Sequence, residues 1–109
     1  MDINVEVVSM HSYSEYVPVF KALADGSRLQ IIDMLAGGEM CACKILEKLH
    51  ITQPTLSYHM KLLMEIGLVN GVRSGAWMRY SLNEERIADL KRFVEGLATG
   101  ETRCACEGE

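Results

Sequence analysis

Between Thr52 and Leu82 the spacing of apolar residues switches period, and this switch narrows the fold more than any other feature of the chain. In "TQPTLSYHMKLLMEIG" Leu56, Met60 and Leu63 recur at helical spacing; in "WMRYSL" Met78, Tyr80 and Leu82 alternate with Trp77, Arg79 and Ser81. The first spacing lays a stripe along a helix and the second gives a strand one apolar face. Thr52 is a good N-cap, and Pro54 then falls in the first turn, where a missing N–H is harmless. Gly67 ends the helix, and Ser74-Gly75 suits the tight turn of a hairpin.

The flanking segments are helical. Tyr16, Phe20 and Leu23 share one face of a first helix, and Pro18 places its start near residue 15 or 16, because proline is tolerated in a first turn. A second helix follows in "ADGSRLQIIDMLAGG", capped by Asp25 or Ser27, with Leu29, Ile32 and Leu35 on one side and Gly37-Gly38 as its stop. "CACKILEKL" is a short third helix. Asn83 caps a last one, whose Ile87, Leu90, Val94 and Leu97 are spaced for burial against another helix. The order α-α-α-α-β-β-α, mainly helical with one small hairpin, is that of a winged helix-turn-helix. The expected organisation is an N-terminal arm over 1–13, the winged domain over 14–98 and a C-terminal tail over 99–109.

A chain of 109 residues holds one ordinary domain. It contains no apolar run of about 18 residues that would span a membrane. Its N-terminus lacks the basic and apolar regions of a secretion signal, so a cytoplasmic protein is expected. In that compartment four cysteines point to metal binding or redox sensing rather than to structural disulfides. No Gly-rich phosphate loop, G-x-S-x-G or carboxylate/histidine cluster is present, so an enzyme is not expected. The net charge is −4, but residues 50–80 carry a local balance of +2. A mildly basic middle can still present one face to DNA.

The helix beginning after Thr52 has the build of a groove reader, with polar groups near its N-terminus and an apolar stripe to anchor it. Thr52, Gln53, Thr55, Ser57 and Tyr58 are placed to bond bases or backbone, and His59 and Lys61 to meet phosphates. Arg73 and Arg79 on the hairpin can reach an adjacent groove or the DNA backbone.

Three stretches, "FKALADGSRLQIIDML", "GEMCACKILEKLHITQPTLSYHMKLLMEIGLV" and "GVRSGAWMRYSL", together resemble the ArsR/SmtB family of metal-responsive repressors, over about residues 16–97. The resemblance implies a homodimer paired through the first and last helices, here Tyr16, Phe20, Ile87, Leu90 and Val94. It also implies repression of an operon until an ion releases the protein from DNA. The zinc-sensing members hold metal with His and Asp on the last helix; residues 83–97 contain no histidine. The arsenic- and cadmium/lead-sensing members carry Cys-x-Cys at the start of the third helix, and "GEMCAC" matches with Cys41 and Cys43. The third cysteine of the arsenic pattern is replaced by Leu46, and the N-terminal arm has none. Further ligands must then come from the tail, from Cys104 or Cys106.

Thiolates suit soft ions. Three fit As(III) or Sb(III), as the resemblance implies, and four fit a tetrahedral Zn(II) or Cd(II), with Pb(II) a further alternative. No organic cofactor is implied. Oxidation of the same cysteines is a competing switch. In a regular helix residues two apart point about 200° from each other, so gripping one ion with Cys41 and Cys43 is expected to unwind the first turn of the third helix.

Overall fold

Five helices and three short strands run in the order α1 (Asp2–Leu23), α2 (Gly26–Leu35), β1 (Met40–Cys41), α3 (Ala42–Leu49), α4 (Gln53–Glu65), β2 (Val69–Ser74), β3 (Trp77–Leu82) and α5 (Glu84–Leu97). In this computed structural model the described residues are 2–97 and 99, with side chains from Tyr13 onward. Cys104 and Cys106 lie outside them. The architecture is a winged helix-turn-helix: α3 and α4 form the helix pair, and β2–β3 the wing.

Capping residues set most helix boundaries. The Asp25 carboxylate accepts from the Arg28 N–H and opens α2. The Thr52 hydroxyl accepts from the Thr55 N–H and opens α4, with Pro54 in the first turn. The Asn83 side chain accepts from the Arg86 N–H and opens α5. Each such cap satisfies an N–H that the helix itself leaves orphaned. Gly67, at φ +83°, takes the left-handed conformation that ends α4. His50 does the same after α3 at φ +56°, and its N–H bonds the Leu46 carbonyl.

Three expectations need correction. Helix α1 begins at Asp2, not near residue 15, and so runs through most of the segment read as an arm. Pro18 lies in its interior, where it cannot bond the Ser14 carbonyl. Both residues are exposed, so that carbonyl faces solvent. On α2 the buried pair is Ile31 and Leu35, one turn apart, while Leu29 is exposed. The hairpin turns one residue later than expected: Ser74 faces Trp77, leaving Gly75-Ala76 as the loop, with Gly75 at φ +65°.

The sheet has a third strand. β1 pairs antiparallel with β3, giving the order β1-β3-β2. Met40 lies opposite Tyr80, and Cys41 opposite Arg79. Two residues are too few to show a period, which is why the strand is invisible in the sequence.

The core lies where the helices meet the inner face of this sheet. Val19, Ile31, Ile45, Leu56, Met60, Leu63 and Leu68 are fully buried. Each such side chain contributes about 1.5–3 kcal/mol by leaving water. Leu56, Met60 and Leu63 are the stripe read from the sequence, and they seat α4 on the rest of the domain.

The wing packs on α4 through the absence of a side chain. A Cβ at Gly71 would lie 2.9 Å from Met64 Sδ and 3.1 Å from both Met78 Cε and Tyr80 Cε1. Gly26 has open space around it. Gly71→Ala makes the flexible ends of Met64 and Met78 swing aside and Tyr80 give slightly, and should therefore lower unfolding stability by up to about 1 kcal/mol. Gly26→Ala should leave it unchanged or raise it by up to about 1 kcal/mol. Denaturant midpoints measured side by side check the contrast; equal midpoints would contradict it.

Candidate functional site

Helix α4 presents two chemically distinct faces. Leu56, His59, Met60 and Leu63 are buried, whereas Thr52, Gln53, Thr55, Ser57, Tyr58 and Lys61 are exposed. Tyr58, at 59% exposure, has no role in the core. The Thr52 and Thr55 hydroxyls lie 2.9 Å apart, which fixes the first turn as a polar ledge. Arg73 is exposed near the wing tip. This assembly of a polar helix N-terminus and a basic hairpin can bond base edges and phosphates.

Two residues expected on that surface are placed otherwise. His59 is 9% exposed and turned into the domain, where its Nδ1 lies 3.0 Å from Arg28 Nη1. It therefore does not share the exposed face of α4. Arg79 is exposed, but its Nε lies 3.3 Å from a Glu39 carboxylate oxygen, beside the cysteines rather than at the wing tip.

Cys41 and Cys43 are brought together by the strand that the sequence hides. Cys41 is extended, at φ −76° and ψ 145°, and forms both the end of β1 and the N-cap of α3. Cys43 lies inside the first turn of α3. The two sulfurs approach to 2.8 Å as free thiols. The expected opposition of the side chains does not arise, because Cys41 stands outside the helix. Unwinding of α3 is therefore not required to aim both thiols at one point.

Their electrostatics are unequal. A hydrogen bond from the Cys43 thiol holds Cys41 below the ordinary thiol range, helped by backbone N–H groups and by the Arg79 guanidinium. The same bond, with Cys43 as donor, pushes Cys43 upward. Cys41 is thus the first of the pair to become a thiolate. Among the described residues no group of three or more His, Cys, Asp or Glu side chains converges on one point. The pair fits half of a soft-ion site: two thiol donors, with the remaining ligands still to be supplied.

A second surface joins α1 and α5. Tyr16 is buried and stacks on Phe93 with ring centroids 4.3 Å apart. Burial raises its hydroxyl above the usual phenol range. Arg86 lies 4.9 Å over the Tyr16 ring, donates to Glu15 at 2.7 Å and donates to the Ile66 carbonyl at 3.4 Å. Tyr16 therefore belongs to its own protomer's core. Around it Tyr13, Val17, Phe20, Val94 and Leu97 are exposed apolar side chains on the two helices, an uncovered face of the kind that marks an interaction site.

Sequence reasoning missed β1, Glu39 and Arg28. None had a local signal: each matters through a partner more than 30 residues away or, for Arg28, also through the end of the preceding helix.

Comparison with known proteins agrees with this fold. Residues 25–71 match the model of a family described as bacterial regulatory protein, arsR family. The chain is similar to the arsenical resistance operon repressor of Staphylococcus xylosus, at 41% identity over 88% of this chain and 92% of that one. Its structure is similar to that of an ArsR-like transcriptional regulator from a Rhodococcus species, with a TM-score of 0.74 and 25% identity over 89% of this chain and 92% of that one. It also resembles a homodimeric winged helix-turn-helix DNA-binding domain from Mycobacterium bovis, with a TM-score of 0.66 and 33% identity over 84% of this chain and 85% of that one.

The unequal thiols are open to chemical test. Alkylation over a pH series, read by peptide mass mapping, should modify Cys41 at lower pH than Cys43. Cys43→Ala removes the donor to the Cys41 thiolate, so alkylation of Cys41 should move to higher pH. Faster modification of Cys43, or an unmoved Cys41 profile in the variant, would contradict this.

Proposed function

This chain belongs to the arsR family of bacterial regulatory proteins, and we propose that it is an operator-binding repressor released by As(III) or Sb(III) held on cysteine thiolates. The family is one of DNA-binding transcriptional repressors rather than enzymes. Among the described residues no helix is long and apolar enough to cross a membrane, and a repressor of this kind acts in the cytoplasm. In this reading the protein is a homodimer, with Phe20, Ile87, Leu90 and Val94 at the seam and Tyr16 supporting it from within.

The observation that carries the proposal is the pair of sulfurs 2.8 Å apart at the end of a strand paired with the wing. Cys41 and Cys43 supply two thiolates, which suit soft thiophilic ions. Cys104 and Cys106 supply the rest: one completes a three-sulfur set for As(III) or Sb(III), and both complete a four-sulfur set for Cd(II), Pb(II) or Zn(II). Thr52, Gln53, Thr55, Ser57, Tyr58 and Lys61 face the DNA groove, with Arg73 on the backbone beside it.

Release follows from where Cys41 is anchored. An ion sets the separation and aim of the sulfurs that hold it, roughly 3.8 Å for a tetrahedral ion at about 2.3 Å, so ion uptake displaces the pair from its 2.8 Å arrangement. Cys41 cannot shift without its strand, and its strand is paired with Arg79 of β3. The displacement is passed to the wing and to the Glu39–Arg79 ion pair, which disfavours the DNA-bound arrangement. A coupling of about 1–3 kcal/mol is enough to lower DNA affinity roughly 5- to 150-fold. A second reading rests on the closeness of the two thiols: peroxide, as the two-electron oxidant reduced to water, would join them as a disulfide, drawing the sulfurs together and displacing Cys41 and its strand in the other direction.

Fluorescence anisotropy with an operator duplex selected from random sequence separates these readings. Arsenite should release the wild-type protein, and Cys41→Ser/Cys43→Ser should bind DNA equally well but stay bound. A chain ending at residue 99 should need at least about tenfold more arsenite. Release of the double variant by arsenite would contradict the proposal. Release of the wild type by peroxide but not by arsenite would favour the redox reading.

A further inference from the structure

We infer that Glu39 is a specificity-determining residue of the thiol site: by cancelling the charge of Arg79 it favours an ion whose thiolate complex is neutral, As(III) or Sb(III), over a divalent ion whose complex is anionic. The inference rests on the reading that Cys41 and Cys43 hold the ion and that tail thiols complete the set.

The sheet puts the three groups on one face. Residues directly opposite each other in an antiparallel pair share a face, with Cβ atoms about 5 Å apart. Cys41 lies opposite Arg79, which lies opposite Val72. Met40, Tyr80 and Gly71 form the next row, and Tyr80 is buried, so that row faces the core. Cys41 and Arg79 therefore stand on the outer face. Glu39 precedes Cys41 by two residues, the spacing that returns an extended chain to the same side. Its carboxylate lies 3.3 Å from Arg79 Nε. Both side chains are roughly half exposed, so substitution at either leaves the core alone. The other charges nearby in the chain, Lys44 and Glu47 of α3, are exposed and opposite in sign.

Uptake separates the ions by charge. Arsenous acid is neutral near neutral pH. Three thiols replace its three hydroxyls, three waters leave, and the site gains no charge. A divalent ion instead displaces a proton from each thiol it binds. Three thiolates then leave one negative charge at the site, and four leave two. A fixed charge beside the sulfurs thus has little effect on the arsenic complex and acts directly on a divalent one. Arg79 alone would stabilise the anionic complex, and Glu39 opposes it. Two extended residues span about 6.6 Å. Across that distance, with screening between that of a protein surface and that of water, one unit charge changes the affinity for another about fivefold.

Binding of arsenite and of Cd(II) to the reduced full chain is read by thiolate–ion absorption, with a competing chelator or small thiol, at one near-neutral pH. The tail is kept because only two thiolates would leave a divalent complex neutral. The readout is the ratio of Cd(II) to As(III) affinity. A merely structural change moves both ions together and leaves that ratio alone. Glu39→Gln should raise the ratio about fivefold, and Arg79→Gln should lower it by a similar factor. Both shifts should shrink at about 1 M salt. An unmoved ratio in either folded variant, or shifts of the same or reversed sign, overturns the inference. Should Arg79→Gln not fold, Glu39→Gln decides alone. Cys41→Ser/Cys43→Ser tells the two failures apart. If it keeps the wild-type absorption, or if wild type shows none, the thiol reading itself fails, and this inference with it. If the double variant loses the absorption while the ratio stays fixed, only this inference falls.

Discussion

The pairing of β1 with β3 is the contact on which the functional arrangement depends. It covers only two residues, Met40 opposite Tyr80 and Cys41 opposite Arg79. Yet it sets three things at once. It holds Cys41 extended, so that the sulfur meets Cys43 instead of pointing away from it. It lays Arg79 beside the thiols, where Glu39 takes up its charge. It also makes the thiol pair mechanically continuous with the wing, because β3 is shared by both partners. A helix that simply began at Cys41 would have none of these properties.

Two arginines organise the rest. Arg86 ties α1, α5 and the end of α4 through Glu15, the Tyr16 ring and the Ile66 carbonyl. Arg28 ties the end of α1, the start of α2 and the middle of α4. Planar guanidinium groups with several donors suit such many-partner roles, where a lysine would offer one point charge. Both brackets converge on α4, so its orientation depends on α1, α2 and α5. Helix α4 is also held by the wing, through the close approach of Gly71 to Met64.

Much of what is set by neighbouring residues was legible in the sequence, although the buried face of α2 and the position of the hairpin turn were each misplaced by one or two residues. The caps at Asp25, Thr52 and Asn83, the stripe of Leu56, Met60 and Leu63, and the alternation around Tyr80 all appear where their local chemistry puts them. The larger misreadings at the site depend on distant partners. His59 looks like a solvent-facing neighbour of Tyr58 until Arg28, 31 residues away, is seen to cover it. The first turn of α3 looks like an ordinary helix start until β3 captures Cys41. Pro18 looks like a first-turn residue because the rule for proline is local, whereas an exposed mid-helix proline is tolerated when the freed carbonyl faces water. Leu46 stands where the resemblance puts a third cysteine, and the structure places it as a half-buried residue packed against the core.

The central claim is that ion uptake by Cys41 and Cys43 reaches DNA through the wing and not by melting α3. Residue-resolved amide hydrogen exchange, with and without arsenite on the DNA-free dimer, tests it most directly. The account predicts altered protection at Met40, Cys41 and the β2–β3 amides from Val69 to Leu82, while the α3 amides after its first turn stay protected. Loss of protection along α3 with an unchanged hairpin would contradict it.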